Sequence, residues 1–317
     1  MLTLVTGGAG FIGSHVVDAL LTDGHQVSVI DNLVTGSRSN LPPGVDLIEA
    51  DVRDQKAVTA TFERVRPSVV FHLAAQTLVA TSASDPLRDA QINVIGTVTV
   101  ARAAIAAGAR KLVFASSGGT VYGNPTVQPV PETHELNPIS PYGVSKVAGE
   151  HYVRVLCGHA GMASTILRYG NVYGPRDIPA SQHVVTAFLD ALLNGRRPVI
   201  EWDGEQAKDY VYVGDVAAAH LRAIAAGDGE AFNIASGSEI SVNEIFRLIC
   251  DQMERTVEPL RRERRPADVR RFVLDCAKAE RMLGWTPVTS FARGLRETVR
   301  YYRNLANLRR VDALPLH

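Results

Sequence analysis

Thr6-Gly7-Gly8-Ala9-Gly10-Phe11-Ile12-Gly13 is the stretch that decides the fold. The apolar run Leu2–Val5 precedes it and favours a β-strand, and His15–Leu21 follows with apolar residues at helical spacing. Val27–Ile30 is apolar again and leads directly into Asp31. Strand, glycine-rich turn, helix, strand and acid, in this order, are typical of a dinucleotide-binding βαβ unit.

Each glycine of this turn has its own task in such a unit. Gly7 lets the chain turn sharply, Gly10 lets a pyrophosphate approach the backbone, and Gly13 lets the helix lie close to the strand. The helix N-terminus offers free N–H groups to the phosphates. A carboxylate at Asp31 accepts hydrogen bonds from a ribose diol and repels a 2′-phosphate, so we expect NAD rather than NADP.

Composition narrows the class of protein. The 317 residues include 33 basic and 33 acidic side chains, so no overall field favours nucleic acid or an anionic membrane as a partner. Cys157, Cys250 and Cys276 show neither metal-ligand spacing nor a disulfide framework. We therefore expect no metal site and a reducing, cytoplasmic location. The sequence shows no signal-peptide pattern and no apolar run that could span a bilayer.

Short apolar runs alternate with helical patterns through the first half of the chain. The strands predicted from these runs are Leu2–Thr6, Gln26–Asp31, Asp46–Glu49, Ser68–Leu73, Lys111–Ser116 and Ser164–Tyr169. This alternation predicts an α/β fold with a Rossmann-type, doubly wound parallel sheet and a ligand crevice at the carboxyl ends of the strands.

The alternation stops after about residue 170. We predict a NAD-binding Rossmann domain over residues 1–170 and a smaller, mixed substrate lobe mainly over 171–317, with some segments returning to the first domain. Within the lobe, a helix is predicted at Val242–Met253, where Ser241 and Glu244 resemble a capping box. Residues 304–317 lack clear periodicity and are predicted to form a loose tail.

Tyr142 and Lys146 form the candidate chemical pair. They stand four residues apart after Pro141, a residue suited to a helix start, so the phenol and the ammonium share one helix face. A nearby cation favours the phenolate, which makes Tyr142 a candidate base closer to neutral pH than a free tyrosine. The strand end Ser116-Ser117 precedes the pair and predicts that a serine hydroxyl lies beside it.

With these motifs in order, the chain resembles the extended short-chain dehydrogenases/reductases, and within them the nucleotide-sugar 4-epimerases. The resemblance covers nearly the whole chain. It rests on Thr6–Gly13, Asp31–Leu33, Asp51-Val52, His72–Ala75, Asn93, Ser116–Gly123, Tyr142 with Lys146, Arg168–Arg176, Asp209–Val213 and Arg265–Asp268. It implies NAD-dependent inversion of C4 of a UDP-sugar through a transient 4-keto sugar, and a homodimer formed through helices near residues 86–108 and 142–158.

The resemblance also implies roles for single residues. Catalysis would use Tyr142, Lys146, Ser117 and Thr120. Cofactor contacts would come from Gly7, Gly10, Phe11, Ile12, Gly13, Asp31, Asn32, Asp51, Val52, Leu73, Ala74, Ala75, Asn93, Tyr142, Lys146 and Tyr169. Substrate contacts would come from Ser82, Ser117, Thr120, Tyr142, Asn171, Arg176, Arg265 and Asp268.

Other reactions of the same fold stay open as alternatives. Nucleotide-sugar dehydratases and decarboxylases carry an acid beside the catalytic hydroxyl, whereas this stretch is Gly118-Gly119-Thr120, which favours epimerisation. A non-catalytic NAD-sensing protein would not need Ser117, Tyr142 and Lys146 together.

The sugar is expected to be neutral, with UDP-glucose ahead of UDP-glucuronate and N-acetylated sugars third. A uronate carboxylate would call for a cation, for which Arg176 is the candidate, with Thr120 and Ser82 as further donors. The Gln76-Thr77 pair lacks the lysine common in glucose forms, and Val79–Thr81 lacks the arginine common in uronate forms.

Overall fold

The structure is a computed structural model that describes residues 1–264 and 269–312. Within these residues, seven parallel strands form the largest sheet, in the order β10-β6-β5-β4-β1-β2-β3 with strands numbered along the chain. The strands are β1 (Leu2–Thr6), β2 (Gln26–Asp31), β3 (Asp46–Glu49), β4 (Val69–His72), β5 (Lys111–Ser117), β6 (Ala163–Tyr169) and β10 (Ala231–Ile234).

Helices cover both faces of this sheet because its strands are apolar on both sides. Alternate strand residues such as Val5 and Leu4 point into two separate hydrophobic cores. The helices up to the middle of the chain are α1 (Phe11–Thr22), α2 (Gln55–Val65), α3 (Val79–Ser84), α4 (Pro86–Ala90), α5 (Gly96–Ala106), α6 (Gly118–Val121) and α7 (Pro141–His159). One core packs α1 against the sheet, and the other packs α2, α5 and α7.

The C-terminal part adds smaller sheets around a third core. Among the described residues, β7 (Asn171–Tyr173), β9 (Ala207–Tyr212), β11 (Glu239–Ser241) and β13 (Arg271–Phe272) form one sheet, and β8 (Val199–Glu201) pairs with β12 (Leu260–Arg262). The helices here are α8 (Val184–Leu193), α9 (Val213–Arg222), α10 (Val242–Met253), α11 (Ala277–Leu283) and α12 (Phe291–Asp312). Side chains of α8, α10 and α12 build the third core.

The predicted strands and the parallel sheet are confirmed, with ends that differ by at most one residue. Two segments beyond residue 171 belong to the large sheet layer, because β10 pairs with β6 and α9 packs in the same core as α1. The division into two domains at residue 170 stays a prediction. Among the described helices, none combines the length and apolar character that crossing a membrane requires.

The prediction of a loose tail from residue 304 is wrong for residues 304–312, which continue α12. The first turns of this helix bury Leu295, Val299 and Tyr302 in the third core. Helix propagation adds one hydrogen bond per residue once a packed nucleus exists, so the polar residues that follow extend the helix without an apolar pattern of their own. At α10, Ser241 Oγ accepts a hydrogen bond from the N–H of Glu244 at 3.2 Å, the N-cap expected from the sequence.

Candidate active site

A cleft of about 1130 Å³ lies at the carboxyl ends of the parallel strands and continues into the C-terminal lobe. Its walls follow the ends of β1, β2, β4, β5 and β6, as expected for a doubly wound sheet. Predicted site residues that line it are Gly7, Gly10, Phe11, Ile12, Gly13, Asp31, Asn32, Asp51, Val52, Leu73, Ala74, Ala75, Thr120, Tyr142, Lys146, Tyr169 and Asn171.

The glycine-rich turn is closed so tightly that side chains do not fit in it. Gly7 has φ 71°, and a Cβ there would lie 2.7 Å from the backbone nitrogen of Ala74. A Cβ at Gly13 would lie 2.0 Å from the carbonyl oxygen of Gly7. Helix α1 begins at Phe11, and no side chain among the described residues caps its N-terminus. Bare backbone and a free helix N-terminus facing the cleft fit the pyrophosphate of a dinucleotide.

Asp31 sits at the end of β2, where backbone N–H groups hold its carboxylate. Ala9 donates to Oδ2 at 3.0 Å and Leu33 donates to Oδ1 at 2.8 Å. Burial raises the pKa of Asp31 above its ordinary value, and these hydrogen bonds oppose that shift. The adjacent Asp51 binds Arg53 through two side-chain hydrogen bonds, which hold the pKa of its carboxyl well below its usual range. The acids expected at the adenosine end of a dinucleotide are thus both present in this wall.

Tyr142 and Lys146 lie in the wall of the cleft. The side chain of Ser117, the last residue of β5, lies close enough to the Tyr142 phenol to favour its charged form. Lys146 donates from Nζ to the carbonyl oxygen of Ala115 at 2.8 Å, and its Nζ lies 6.0 Å from the centroid of the Tyr142 ring. Thr120 lines the cleft next to this group and donates weakly to the carbonyl of Ser117 at 3.4 Å.

The expectation of a lowered tyrosine pKa is wrong for the protein alone. Burial raises the pKa of Tyr142 above its usual value, because it disfavours the charged phenolate more than the Ser117 hydrogen bond favours it. Burial also lowers the pKa of Lys146 to about 8, against the carboxylates of Asp89 and Glu150. The ammonium bonds a backbone carbonyl rather than the phenol, so further positive charge is needed to make Tyr142 an effective base.

Two predicted contact residues, Ser82 and Asn93, lie behind the wall rather than in it. Ser82 is fully buried; its hydroxyl donates to Val79 and accepts from the N–H of Tyr142 at 3.1 Å, so it supports the start of α7. Asn93 is buried and bonds the backbone of Gln76 through both ends of its amide. Both were predicted as direct contacts, but sequence spacing alone does not separate a group that lines a cleft from one that braces it.

Arg176 was predicted to contact a substrate carboxylate, and the structure places it elsewhere. Its guanidinium pairs with Asp18 of α1 at 2.7 Å, and its backbone adopts a left-handed conformation with φ 68°. His15 Nε2, on the same helix α1, donates to the carbonyl oxygen of the neighbouring Pro175 at 3.0 Å. The loop that carries Arg176 therefore docks on α1. Arg265 and Asp268, the other predicted substrate contacts, lie outside the described residues.

The far wall of the cleft contains residues that the sequence did not single out. They come from the loop after β7 and from α8, β8 and β9, and they include Tyr173, Asp177, His183, Phe188, Gln206, Lys208 and Tyr210. Alternation along β9 points Lys208 and Tyr210 to the same side of that strand. This alternation is the only signal in the sequence that pairs them.

Comparison with known proteins matches this geometry to one family. The model of the NAD dependent epimerase/dehydratase family matches residues 3–235. The chain belongs to this family. It is 42% identical over 304 residues to a putative UDP-glucose 4-epimerase of Methanocaldococcus jannaschii, covering 96% of this chain and 99% of that protein.

Solved structures of two bacterial members of the family superimpose closely. A UDP-glucose 4-epimerase of Thermotoga maritima, crystallised with UDP-glucose, is 44% identical with a TM-score of 0.94, covering 96% of this chain and 99% of that one. A UDP-glucose 4-epimerase of Thermus thermophilus, in complex with NAD, is 40% identical with a TM-score of 0.90 over the same shares. The resemblance inferred from the motifs, to the nucleotide-sugar 4-epimerases of this family, is confirmed.

Proposed function

We propose that this protein is a NAD-dependent UDP-glucose 4-epimerase, and that its site residues act as outlined below. One observation carries the proposal: Tyr142 and Lys146 lie in the wall of a cleft that runs from the glycine-rich turn into the C-terminal lobe, with Lys146 Nζ 6.0 Å from the Tyr142 ring and the Ser117 side chain beside the phenol. Relatives named as UDP-glucose 4-epimerases at more than 40% identity support the same reading.

The residues present fit NAD, which supplies the hydride acceptor and donor when it is bound. Gly7, Gly10 and Gly13 present bare backbone to the diphosphate, and Asp31 receives the adenosine ribose. Tyr169 lines the same wall, and its hydroxyl is hydrogen-bonded to the buried His220 at 2.9 Å.

Proton transfer is the task of the chain's own residues. Tyr142 takes the proton of the sugar 4-hydroxyl during oxidation and returns it on reduction. Ser117 holds the 4-oxygen in line with that phenol, and Lys146 favours the phenolate electrostatically. The 4-keto sugar then presents its other face to the same groups, which inverts C4 with no second redox substrate.

The loop after β5 supports epimerisation over elimination. A Cβ at Gly118 would lie 2.6 Å from Leu274 Cδ1, so a side chain there would require the buried Leu274 to shift. Gly119 faces open space, with nothing within 4 Å of a Cβ, yet it carries no acid. Thr120 is the remaining polar side chain of this loop in the cleft wall, and a neutral hydroxyl does not drive loss of a leaving group.

The test is an assay of purified protein with UDP-glucose and UDP-glucuronate in separate reactions, without added reductant, with the C4 epimers separated by chromatography. We expect UDP-glucose to give UDP-galactose with no net change in NADH absorbance. Conversion of UDP-glucuronate alone would make the uronate the proposed substrate. If NAD-loaded protein converted neither UDP-glucose nor UDP-glucuronate, the assignment as an enzyme would be contradicted.

Arg176→Ala is expected to lower kcat/KM for neutral and uronate UDP-sugars by the same factor, less than about five-fold, because a partly exposed ion pair contributes about 0–1 kcal/mol. The guanidinium is paired with Asp18 outside the cleft wall, so it offers no selective contact with a sugar carboxylate. The measurement is kcat/KM for both substrates in the wild type and the variant. A selective loss of the uronate would restore Arg176 as its ligand.

We also propose that two copies associate through α4, α5 and α7. Exposed apolar side chains are concentrated on these helices and on the π-helical segment Gln91–Ile95 between α4 and α5: Leu87 is 76% exposed, Ile95 56% and Val155 52%. On α7, Val144, Tyr152 and Val155 fall on one helix face, which makes an apolar stripe that water covers poorly in a monomer.

Val155→Asp is expected to weaken the dimer by on the order of 100-fold, since it would bury an unpaired carboxylate in the interface. Val288→Asp is the matched control, because Val288 is 76% exposed and lies far along the chain from this stripe. Sedimentation equilibrium over a range of concentrations gives both constants. Equal dimer constants for the two variants would place the interface elsewhere, and a monomeric wild type would contradict the proposal.

The proposed cellular location is the cytoplasm. Cys157, Cys250 and Cys276 are all free thiols, which suits a reducing compartment.

A further inference from the structure

Tyr142, Lys146 and Glu150 recur every four residues along α7 and therefore share one helix face. The first two face the end of β5, where the Tyr142 phenol lies beside the Ser117 side chain and Lys146 donates to the carbonyl oxygen of Ala115. Only these two were expected from the sequence, and the mechanism above uses only these two. Glu150 continues the same stripe one turn further from the cleft.

Glu150 bonds the β5 residue that lies between Ala115 and Ser117. Ser116 Oγ donates to Glu150 Oε1 at 2.6 Å, so the consecutive strand residues Ala115 and Ser116 are bonded to two successive turns of α7. The bond of Ser116 is the one next to Ser117 in the chain, so its removal would loosen the strand end on the side that faces α7.

The Glu150 carboxylate is fully buried, and its negative charge is compensated by Arg168 on the neighbouring strand β6. Arg168 of β6 donates from Nε and Nη2 to its two oxygens at 2.9 and 2.6 Å, and Arg168 stands opposite Ser116 in the strand register. Arg154 of the same helix lies 3.7 Å away, and Tyr122 OH accepts from Arg168 on its other side at 2.8 Å. A buried bidentate pair of this kind fixes geometry because a displaced partner would leave an uncompensated charge.

The Glu150 carboxylate also favours the charged form of Lys146. The groups that face the ammonium are Asp89 from α4, Glu150 and the neutral Tyr142 from α7, and His72 from β4, whose burial lowers its pKa to about 3 and keeps it uncharged. Burial disfavours the charged form of Lys146 and lowers its pKa, whereas the carboxylates of Asp89 and Glu150 favour the charged form. Glu150 is therefore one of two negative charges that keep Lys146 protonated where it faces the phenol.

We propose that Glu150 is a positioning residue of the reaction, which fixes the strand end that carries Ser117 and keeps Lys146 charged beside Tyr142. This role rests on the proposed function and includes no contact between Glu150 and substrate or cofactor. The functional face of α7 then comprises Tyr142, Lys146 and Glu150 rather than Tyr142 and Lys146 alone.

The test is a titration of Lys146 itself, which does not depend on turnover. The chain has five lysines, so protein labelled with ¹³C at the lysine ε-carbon gives a spectrum in which Lys146→Arg identifies the Lys146 signal. In Glu150→Gln we expect the pKa of Lys146 to fall by about one unit, since an opposite charge is lost nearby. In the same variant we expect kcat to fall at least about ten-fold with KM within about three-fold.

Lys111→Gln is the matched control for a structural effect. Lys111 begins β5 at its other end, is buried, and bonds the carbonyl of Ala226 and the carboxylate of Asp228. We expect this variant to lower Tm and to leave the Lys146 titration in place. Equal Lys146 titrations in the wild type and Glu150→Gln, with a kcat loss no greater than in Lys111→Gln, would overturn the proposal.

Ser116→Ala decides the proposal if Glu150→Gln does not fold. It removes only the hydrogen bond from Ser116 to Glu150, so kcat is expected to fall about three- to ten-fold with the Lys146 titration unchanged. Wild-type kcat in Ser116→Ala would overturn the positioning role. A wild type without UDP-glucose turnover would contradict the proposed function instead, and the titration of Lys146 would still decide the electrostatic role of Glu150.

Discussion

Tyr142→Phe is expected to lower the rate of UDP-glucose epimerisation by about 10²- to 10⁴-fold, the usual range for loss of a general acid–base group. The change removes one oxygen from a buried side chain, and the ring keeps its place in the cleft wall. Tyr169, another phenol in the cleft wall, has its hydroxyl bonded to His220 at 2.9 Å, so we expect that it does not replace the lost proton carrier. The measurement is kcat by chromatography of the two epimers, with NAD content and circular dichroism recorded for the same samples.

Tyr152→Phe is the matched control for that variant. Tyr152 lies on the same helix but is 47% exposed and outside the cleft wall, so its phenol has no part in the chemistry. We expect a rate within about two-fold of the wild type, as for most surface substitutions. A Tyr142→Phe protein that is folded, loaded with NAD and as active as Tyr152→Phe would remove Tyr142 from the mechanism.

Gly13→Ala is expected to lose NAD and to lower the free energy of unfolding by about 3 kcal/mol, because overpacking of a closed site forces the backbone apart. The new Cβ would start 2.0 Å from the carbonyl oxygen of Gly7, and both groups belong to backbone that cannot rotate away. The turn would open at the point where α1 presents its N-terminus to the diphosphate. Urea denaturation and the NAD content of the purified protein measure the two effects.

Gly158→Ala is expected to change the free energy of unfolding in the opposite direction. Gly158 lies in the last turn of α7, and nothing stands within 4 Å of a Cβ built there. We expect it to raise stability by about 0.5–1 kcal/mol and to leave NAD content unchanged, because alanine has the better helix propensity. Equal stabilities for the two variants would show that the glycine-rich turn is looser than this geometry requires.

Most of the large sheet was predictable because its strands are short, apolar on both sides and separated by helical patterns. The prediction was incomplete or wrong where structure depends on distant partners: it expected segments to return to the first domain without naming β10, and it missed the helix at residues 304–312. Strand β10 joins the sheet from far along the chain, and residues 304–312 are helical because α12 is anchored by Tyr302 and its neighbours. Neither outcome has a local signal, since both are decided by packing between segments remote in sequence.

The residues of the candidate site also fall into those that a local sequence pattern predicts and those that depend on distant partners. Tyr142 and Lys146 were predictable because a four-residue spacing on one helix is local, and glycine, acid and helix start are local too. Ser82 and Arg176 were misplaced because polar residues near a cleft can face into it or brace it from behind, and only the partners decide. Glu150 was missed although it stands at the next step of the same helix face, the one signal that pointed to it.

The hydrogen bonds of Asp31 bear on any attempt to redesign the protein for a phosphorylated dinucleotide. The usual approach replaces this acid with a neutral or basic residue to admit the 2′-phosphate. Here the carboxylate also accepts hydrogen bonds from the N–H groups of Ala9 and Leu33, so the group proposed to select the cofactor also holds the glycine-rich turn against the following loop. Exchange of Asp31 alone would leave the buried N–H of Ala9 and the partly buried N–H of Leu33 without this acceptor, and a redesign has to supply a new acceptor for Ala9 before it alters the pocket. A substitution of Asp31 is therefore expected to change the cofactor preference and the shape of the turn together.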